Sequence, residues 1–159
     1  MIALPPGSLL AEFGGPDDYR DCFERTVPGN VSLGELIERF YCSMAFRPER
    51  MLLGLIGRGA SNLDAAALAR GEADGIAAWK VVGRREPPRS SSKAVAQQGH
   101  EILLQDFQGA TASWLSVRPG ADAATALLFG SWVGKPDRAL IKALMPFHRW
   151  YSRVLLGGA

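Results

Sequence analysis

The last stretch of the chain, Pro136 to Leu156, constrains the fold more than any other segment. Its apolar side chains recur at alternating steps of four and three residues, on one helix face: Leu140, Leu144, Phe147, Tyr151 and Val154. Asp137 is placed to cap the first turn, and Pro146 predicts a kink because it cannot donate a backbone hydrogen bond. Such a one-sided helix needs an apolar surface from the rest of the chain.

Length and charge limit the class of protein. The chain has 159 residues, which suits one domain, and its 18 basic and 16 acidic residues give a net charge of +2. That charge is too small to favour binding to nucleic acid or to an anionic membrane. No run of apolar residues is long enough to span a membrane, and no signal peptide is recognisable, so we expect a cytoplasmic protein.

The first half of the chain predicts one strand followed by helices. Residues 1–16 are rich in proline and glycine and predict an irregular arm, with a single domain over residues 17–159. Asp18 to Val27 alternates as a strand. Ser32 and Glu35 form the sequence pattern of a capping box, Pro48 opens a second helix, and Leu63 to Arg70 predicts a short third one.

The second half predicts strands separated by turns. The predicted strands are Gly75 to Arg85, Glu101 to Phe107, Thr111 to Arg118 and Thr125 to Val133. Residues 86–98 are polar and predict a loop. Connections this short require antiparallel pairing, and the first strand must join the later four. The expected fold is therefore α+β: a curved antiparallel sheet wrapped on the long C-terminal helix, with two to three helices after the first strand.

This order of elements resembles the helix-grip superfamily of START-like and polyketide-cyclase-like domains. Three stretches are also similar to a bacterial domain family of unknown function: Asp18 to Phe23, Phe46 to Arg58, and Leu144 to Leu156. That family is often fused behind an NAD(P)-binding, short-chain-dehydrogenase-like domain. The resemblance implies a cavity between the sheet and the C-terminal helix, but no catalytic residues.

Aromatic residues at strand and helix positions are candidates for the wall of such a cavity. They are Trp79, Phe107, Trp114, Phe129, Trp132 and Tyr151. Together with the resemblance, they predict a module that binds a small apolar or aromatic molecule. Core packing is the alternative interpretation for each of them.

An enzyme of the cyclase or hydrolase kind is a second hypothesis. Asp106 alternates with Ile102 and Leu104, so its carboxylate is expected to face the cavity, and His148 lies beside the apolar stripe of the last helix. His100 and Glu101 are adjacent on a strand and point to opposite faces, which indicates an exposed strand start rather than one site.

A protein-interaction domain, such as a homodimer or a partner of a separate dehydrogenase-like protein, is a third hypothesis. It would be favoured by an exposed apolar patch along Leu9, Leu10 and Phe13, or along an unpaired edge strand. The arginines at 84, 85 and 89 indicate a solvated strand end or, alternatively, a site for an anionic headgroup.

Cofactors and metals are not expected. No glycine-rich GxGxxG motif follows a strand, and two histidines and two scattered cysteines offer no metal-ligand spacing. Cys22 and Cys42 are expected to be reduced and mostly buried.

Overall fold

The structure, a computed structural model, describes residues 1–42, 61–86 and 99–134. Its strands are β1 Tyr19–Pro28, β2 Gly75–Ile76, β3 Trp79–Arg85, β4 His100–Asp106, β5 Thr111–Pro119 and β6 Ala124–Val133. Its helices are α1 Leu9–Glu12, α2 Leu33–Cys42 and α3 Asn62–Ala69. The C-terminal helix, the helix after Pro48 and most of the 86–98 loop are predictions that lie outside the described residues.

The strands form one antiparallel sheet in the order β1-β6-β5-β4-β3-β2. Consecutive strands from β2 to β6 are neighbours, and β1 joins the far side of β6, with Phe23 opposite Phe129. The predicted antiparallel sheet, and the inclusion of the first strand in it, are confirmed. Its two faces bury two separate apolar clusters.

The first cluster lies on the helix-side face, the sheet face covered by α2 and α3. Alternate strand residues enter it, among them Phe23, Leu115 and Phe129, because successive side chains of a strand point to opposite faces. The buried side of α2 supplies its part of the cluster: Leu33, Leu36, Ile37, Phe40 and Tyr41. Phe40 packs on Phe129 with ring centroids 5.1 Å apart.

Both of these helices begin at capping boxes, and the sequence predicted the one formed by Ser32 and Glu35. The Ser32 hydroxyl accepts a bond from Glu35 N–H at 3.2 Å, and the Glu35 carboxylate accepts one from Ser32 N–H at 2.8 Å. Ser61 and Asp64 repeat the arrangement at the start of α3. Each box satisfies backbone donors that a helix start leaves without an intrahelical partner.

The second cluster lies on the opposite, arm-side face, which the N-terminal arm covers. Its buried members are Leu10, Cys22, Leu103, Ala112, Trp114, Leu128 and Trp132. The arm was predicted to be irregular, but it contains the single helical turn α1, whose Leu10 is fully buried. Helices of the described segments therefore pack on both faces of the sheet, with α1 on the face opposite α2 and α3.

Two features of the region 75–85 depart from the predicted single strand. Ala77, with φ of 54°, turns the chain between β2 and β3, so the segment forms a hairpin. A bulge between Val81 and Gly83 then shifts the register, and Arg84 pairs with Ile102. In a strand without a bulge, regular alternation would place Arg84 on the face opposite Trp79, whereas the bulge brings both to the helix-side face.

Candidate ligand-binding cleft

An open cleft of about 310 Å³ lies at the sheet edge, between the start of α3 and the β2–β3 hairpin. Its lining residues are Asp64, Ala73, Asp74, Gly75, Ile76, Ala77, Trp79 and Lys80. Trp79 is the one aromatic residue in this set, and it also packs against the helix-side cluster. One predicted ligand-binding residue therefore lines a cleft that is large enough for a small molecule.

The hairpin fixes the position of Trp79. Ile76 pairs with Trp79, and Val81 N–H donates to Asp74 O at 2.8 Å, beyond the paired residues. Gly75 is required at this crossing, because a Cβ there would lie 2.4 Å from the Trp79 carbonyl oxygen. The Trp79 ring therefore projects from a short, hydrogen-bonded hairpin at the edge of the sheet.

Charged residues also line the cleft. Asp64 is held by the α3 capping box, where its Oδ2 accepts from Ser61 N–H at 2.7 Å. Asp74 and Lys80 are exposed. An indole ring in a cleft whose lining includes the carboxylate residues Asp64 and Asp74 offers a flat apolar contact beside polar groups, which suits an amphipathic molecule.

The other predicted aromatic residues do not share one wall. Phe129 is buried under Phe40 on the helix-side face, whereas Trp114 and Trp132 belong to the cluster on the arm-side face. Phe107 follows β4 and has 54% of its surface exposed. Tyr151 lies outside the described residues. Of the described set, Trp79 and Phe129 share the helix-side face.

Trp114 and Trp132 are held by hydrogen bonds on the arm-side face. Trp114 Nε1–H donates to Glu101 at 2.7 Å, and Trp132 Nε1–H donates to Asp18 at 3.0 Å. Phe13 meets the Trp132 ring edge-on at a centroid distance of 4.9 Å. Both indole rings are thus packed under the arm, as their alternation with Leu115 and Val133 along the strands requires.

The carboxylate of Asp106 closes the β4–β5 turn. Its Oδ1 accepts from Ala110 N–H at 2.8 Å and from Thr111 N–H at 3.2 Å. With these bonds, the Asp106 carboxylate stabilises the turn rather than serving as an acid–base group directed into a cavity. His148, the second catalytic candidate, lies outside the described residues.

A buried polar group on the helix-side face was not singled out from the sequence. Asp21 has 5% of its surface exposed, and its carboxylate accepts from Tyr19 O–H at 3.0 Å and from Ser131 N–H at 3.1 Å. The signal was present, because Asp21 alternates with Tyr19 and Phe23 along β1. A carboxylate on a buried strand face is retained only with such partners.

Glu101 is also buried, with 1% of its surface exposed, so the predicted exposed strand start is wrong for this residue. The two described arginines of the 84–89 group are engaged within the chain. Arg84 donates to the carbonyl oxygens of Leu68 and Ala69 at 2.9 and 3.1 Å, and Arg85 donates to Glu101 at 2.9 Å. These contacts account for both side chains without an anionic ligand.

No three histidine, cysteine, aspartate or glutamate residues of the described segments are grouped so as to hold a metal ion. No helix in the same segments has the length and apolar composition needed to cross a bilayer.

Comparisons with known proteins do not establish a family. No family model and no curated protein matches this chain. Among solved structures, the crystal structure of Ara h 8.0201 is similar over 87% of this chain and 97% of that chain, with 9% identity and a TM-score of 0.27. A TM-score of this size does not establish a common fold, so no function is carried over from it.

Proposed function

We propose that this chain binds a small, flat, apolar or aromatic molecule at the helix-side face of the sheet, with Trp79 as the main contact. The observation that carries the proposal is the position of Trp79. Its ring is half-buried, joins the helix-side cluster and lines an open cleft of about 310 Å³. Partly exposed indole rings in concave sites are well suited to stacking on planar ligands.

The size and border of the cleft restrict the ligand. Ligand pockets commonly measure about 300–1,000 Å³, so this cleft suits a molecule at the small end of that range. Asp64 and Asp74 in the lining favour a ligand that carries a polar group beside its apolar ring. A long-chain lipid would require more apolar wall than these eight residues supply.

The proposal extends to the fold. Pro136 to Leu156 would supply the long helix of a helix-grip domain and cover the helix-side face beside Phe129, with Tyr151 toward the ligand. The resemblance to helix-grip domains and the one-sided apolar pattern of Pro136 to Leu156 support this arrangement. Family membership, a bacterial source and a cytoplasmic location stay predictions.

The two other hypotheses receive less support from the described residues. The enzyme hypothesis relied on Asp106, whose carboxylate is engaged in a turn. The interaction hypothesis relied on an exposed patch at Leu9, Leu10 and Phe13, but Leu10 is fully buried and the other two are half-buried against the sheet. Homodimer formation stays a prediction that size-exclusion chromatography with light scattering can test.

Binding of 1-naphthol, measured by isothermal titration calorimetry, tests the role of Trp79. We expect Trp79→Ala to weaken binding at least about tenfold, because a stacked ring contact is lost, and Trp79→Phe to retain most of it. Phe13→Ala is the matched control, since it removes an aromatic ring from the arm-side face. Equal affinities in the wild-type and Trp79→Ala proteins would contradict the proposal.

Native mass spectrometry of the purified protein, followed by denaturing extraction, addresses the natural ligand. We expect an adduct that is released on denaturation and that is depleted in Trp79→Ala. An adduct that persists unchanged in Trp79→Ala would place the ligand elsewhere.

A further inference from the structure

Residues 1–13, here called the strap, pack on the arm-side face of the sheet. Leu9 and Leu10 of α1 lie over two glycines of the sheet. A Cβ on Gly83 would be 3.2 Å from the Leu9 side chain, and one on Gly130 would be 2.4 Å from that of Leu10. Gly130 therefore has no room for a side chain under the strap, and a side chain on Gly83 would press closely on Leu9.

Polar groups of the sheet hold the start of α1. The Glu101 carboxylate, with 1% of its surface exposed, accepts from Leu9 N–H at 3.0 Å and from Trp114 Nε1–H at 2.7 Å. Arg85 binds the other carboxylate oxygen at 2.9 Å and donates to Gly7 O at 2.7 Å. A carboxylate at a helix start satisfies backbone donors and complements the helix dipole.

A second cation holds the end of α1. The Arg20 guanidinium donates to Leu10 O at 3.2 Å, to Gly15 O at 2.9 Å and to Phe13 O. Both ends of this helical turn are thus bonded by side chains from β1, β3 and β4. A helix of four residues has no stability of its own, so it forms only on this seat.

We propose that the strap opens as a unit from the arm-side face while the sheet stays folded, uncovering an apolar seat centred on Trp114. No residue of the strap belongs to the helix-side cluster of the described segments. Opening therefore leaves the packing of α2 and α3 on the sheet intact. Gly14, with φ of 77°, and Gly15 connect the strap to the domain and allow it to swing.

Cys22 is a natural reporter of this opening, because its buried thiol lies under the strap in the arm-side cluster. Cys42→Ser leaves Cys22 as the single thiol. The matched reporter carries Cys22→Ala, Cys42→Ser and Val117→Cys, which puts one thiol in the helix-side cluster, where Val117 is 4% exposed. Labelling of both proteins by iodoacetamide is followed as a function of urea concentration.

We expect iodoacetamide to label Cys22 at least about tenfold faster than the Val117→Cys thiol. The labelling rate of Cys22 should also depend less steeply on urea concentration, because local opening exposes less surface than global unfolding. Equal rates with equal urea dependence would show that Cys22 is reached only by global unfolding, and would overturn the proposal.

Glu101→Gln tests whether the contacts of Glu101 hold the strap closed. It removes the ion pair with Arg85, and we expect Cys22 labelling to rise at least about fivefold with its shallow urea dependence retained. Glu12→Gln, which removes an exposed carboxylate from the same arginine, is the matched control and should stay within about twofold. Unchanged Cys22 labelling in Glu101→Gln would refute a role for Glu101 in holding the strap closed. If that variant does not fold, the comparison of Cys22 with the Val117→Cys thiol still tests the opening itself.

Discussion

At the scale of single residues, a comparison of Gly14 with Gly7 distinguishes the energetic cost of backbone strain from that of steric overlap. Both have positive φ, of 77° and 69°, but a Cβ on Gly14 would lie 2.2 Å from Trp132 Nε1, whereas Gly7 has open space. We expect Gly14→Ala to lower the free energy of unfolding by about 2–4 kcal/mol and Gly7→Ala by about 1 kcal/mol. Urea unfolding measures both, and equal losses would show that the Trp132 contact is unimportant.

Burial of the Cys22 thiol makes stability depend on pH. Burial, followed by the charge of Asp21, raises its pKa from 9.0 to about 12. Above pH 9 the thiol ionises in the unfolded chain but stays protonated in the folded one, so stability falls as pH rises toward 12. Between pH 8 and pH 10 we expect a loss of about 1.4 kcal/mol that Cys22→Ala lacks. Identical pH profiles in urea unfolding would contradict this.

Sequence patterns predicted contacts between residues close in the chain better than contacts between residues far apart in the chain. Ser32 and Glu35 were recognised as a capping box because a cap and its acceptor lie three residues apart in sequence. Glu101 was misjudged because what covers it comes from the arm, more than 90 residues earlier. Alternation can place a side chain on a face, but it does not show what packs over that face.

At the scale of elements, Arg84 joins β3 to the end of α3. It donates to two of the last α3 carbonyl oxygens, and 22% of its side chain is exposed. We expect Arg84→Met to lower the free energy of unfolding by about 1–2 kcal/mol, since charged bonds to those oxygens are lost. Thermal or urea unfolding measures the loss.

Arg70→Met is the control for that substitution. Arg70 also lies at the end of α3, but it pairs with Glu72 in solvent, so little change is expected. A loss as large as that of Arg84→Met would assign the effect to charge near the helix end rather than to the two carbonyl bonds.

The β3 bulge explains why this contact was not predicted. Regular alternation of period two places Arg84 opposite Trp79, and the extra residue between Val81 and Gly83 reverses that assignment. The hairpin turn at Ala77 was missed for a similar reason, because alanine with positive φ has no sequence signature.

At the scale of the whole molecule, the sheet separates two differently covered faces. Strand existence, antiparallel pairing and the inclusion of β1 followed from short connections and alternation. The cover of the arm-side face could not be predicted, because a four-residue helix in a proline- and glycine-rich arm shows no periodicity. For the same reason the six candidate aromatic residues were assigned to one cavity, although Trp114 and Trp132 lie across the sheet from Phe129.

The most direct test of ligand binding at Trp79 is the nuclear magnetic resonance spectrum of the tryptophan indole N–H groups during titration with 1-naphthol. The chain has four tryptophans, and the Trp79→Phe variant assigns the signal of Trp79. We predict that this signal shifts with saturation while those of Trp114 and Trp132, bonded under the arm, stay in place. A static Trp79 signal, or shifts confined to Trp114 and Trp132, would contradict the proposed function.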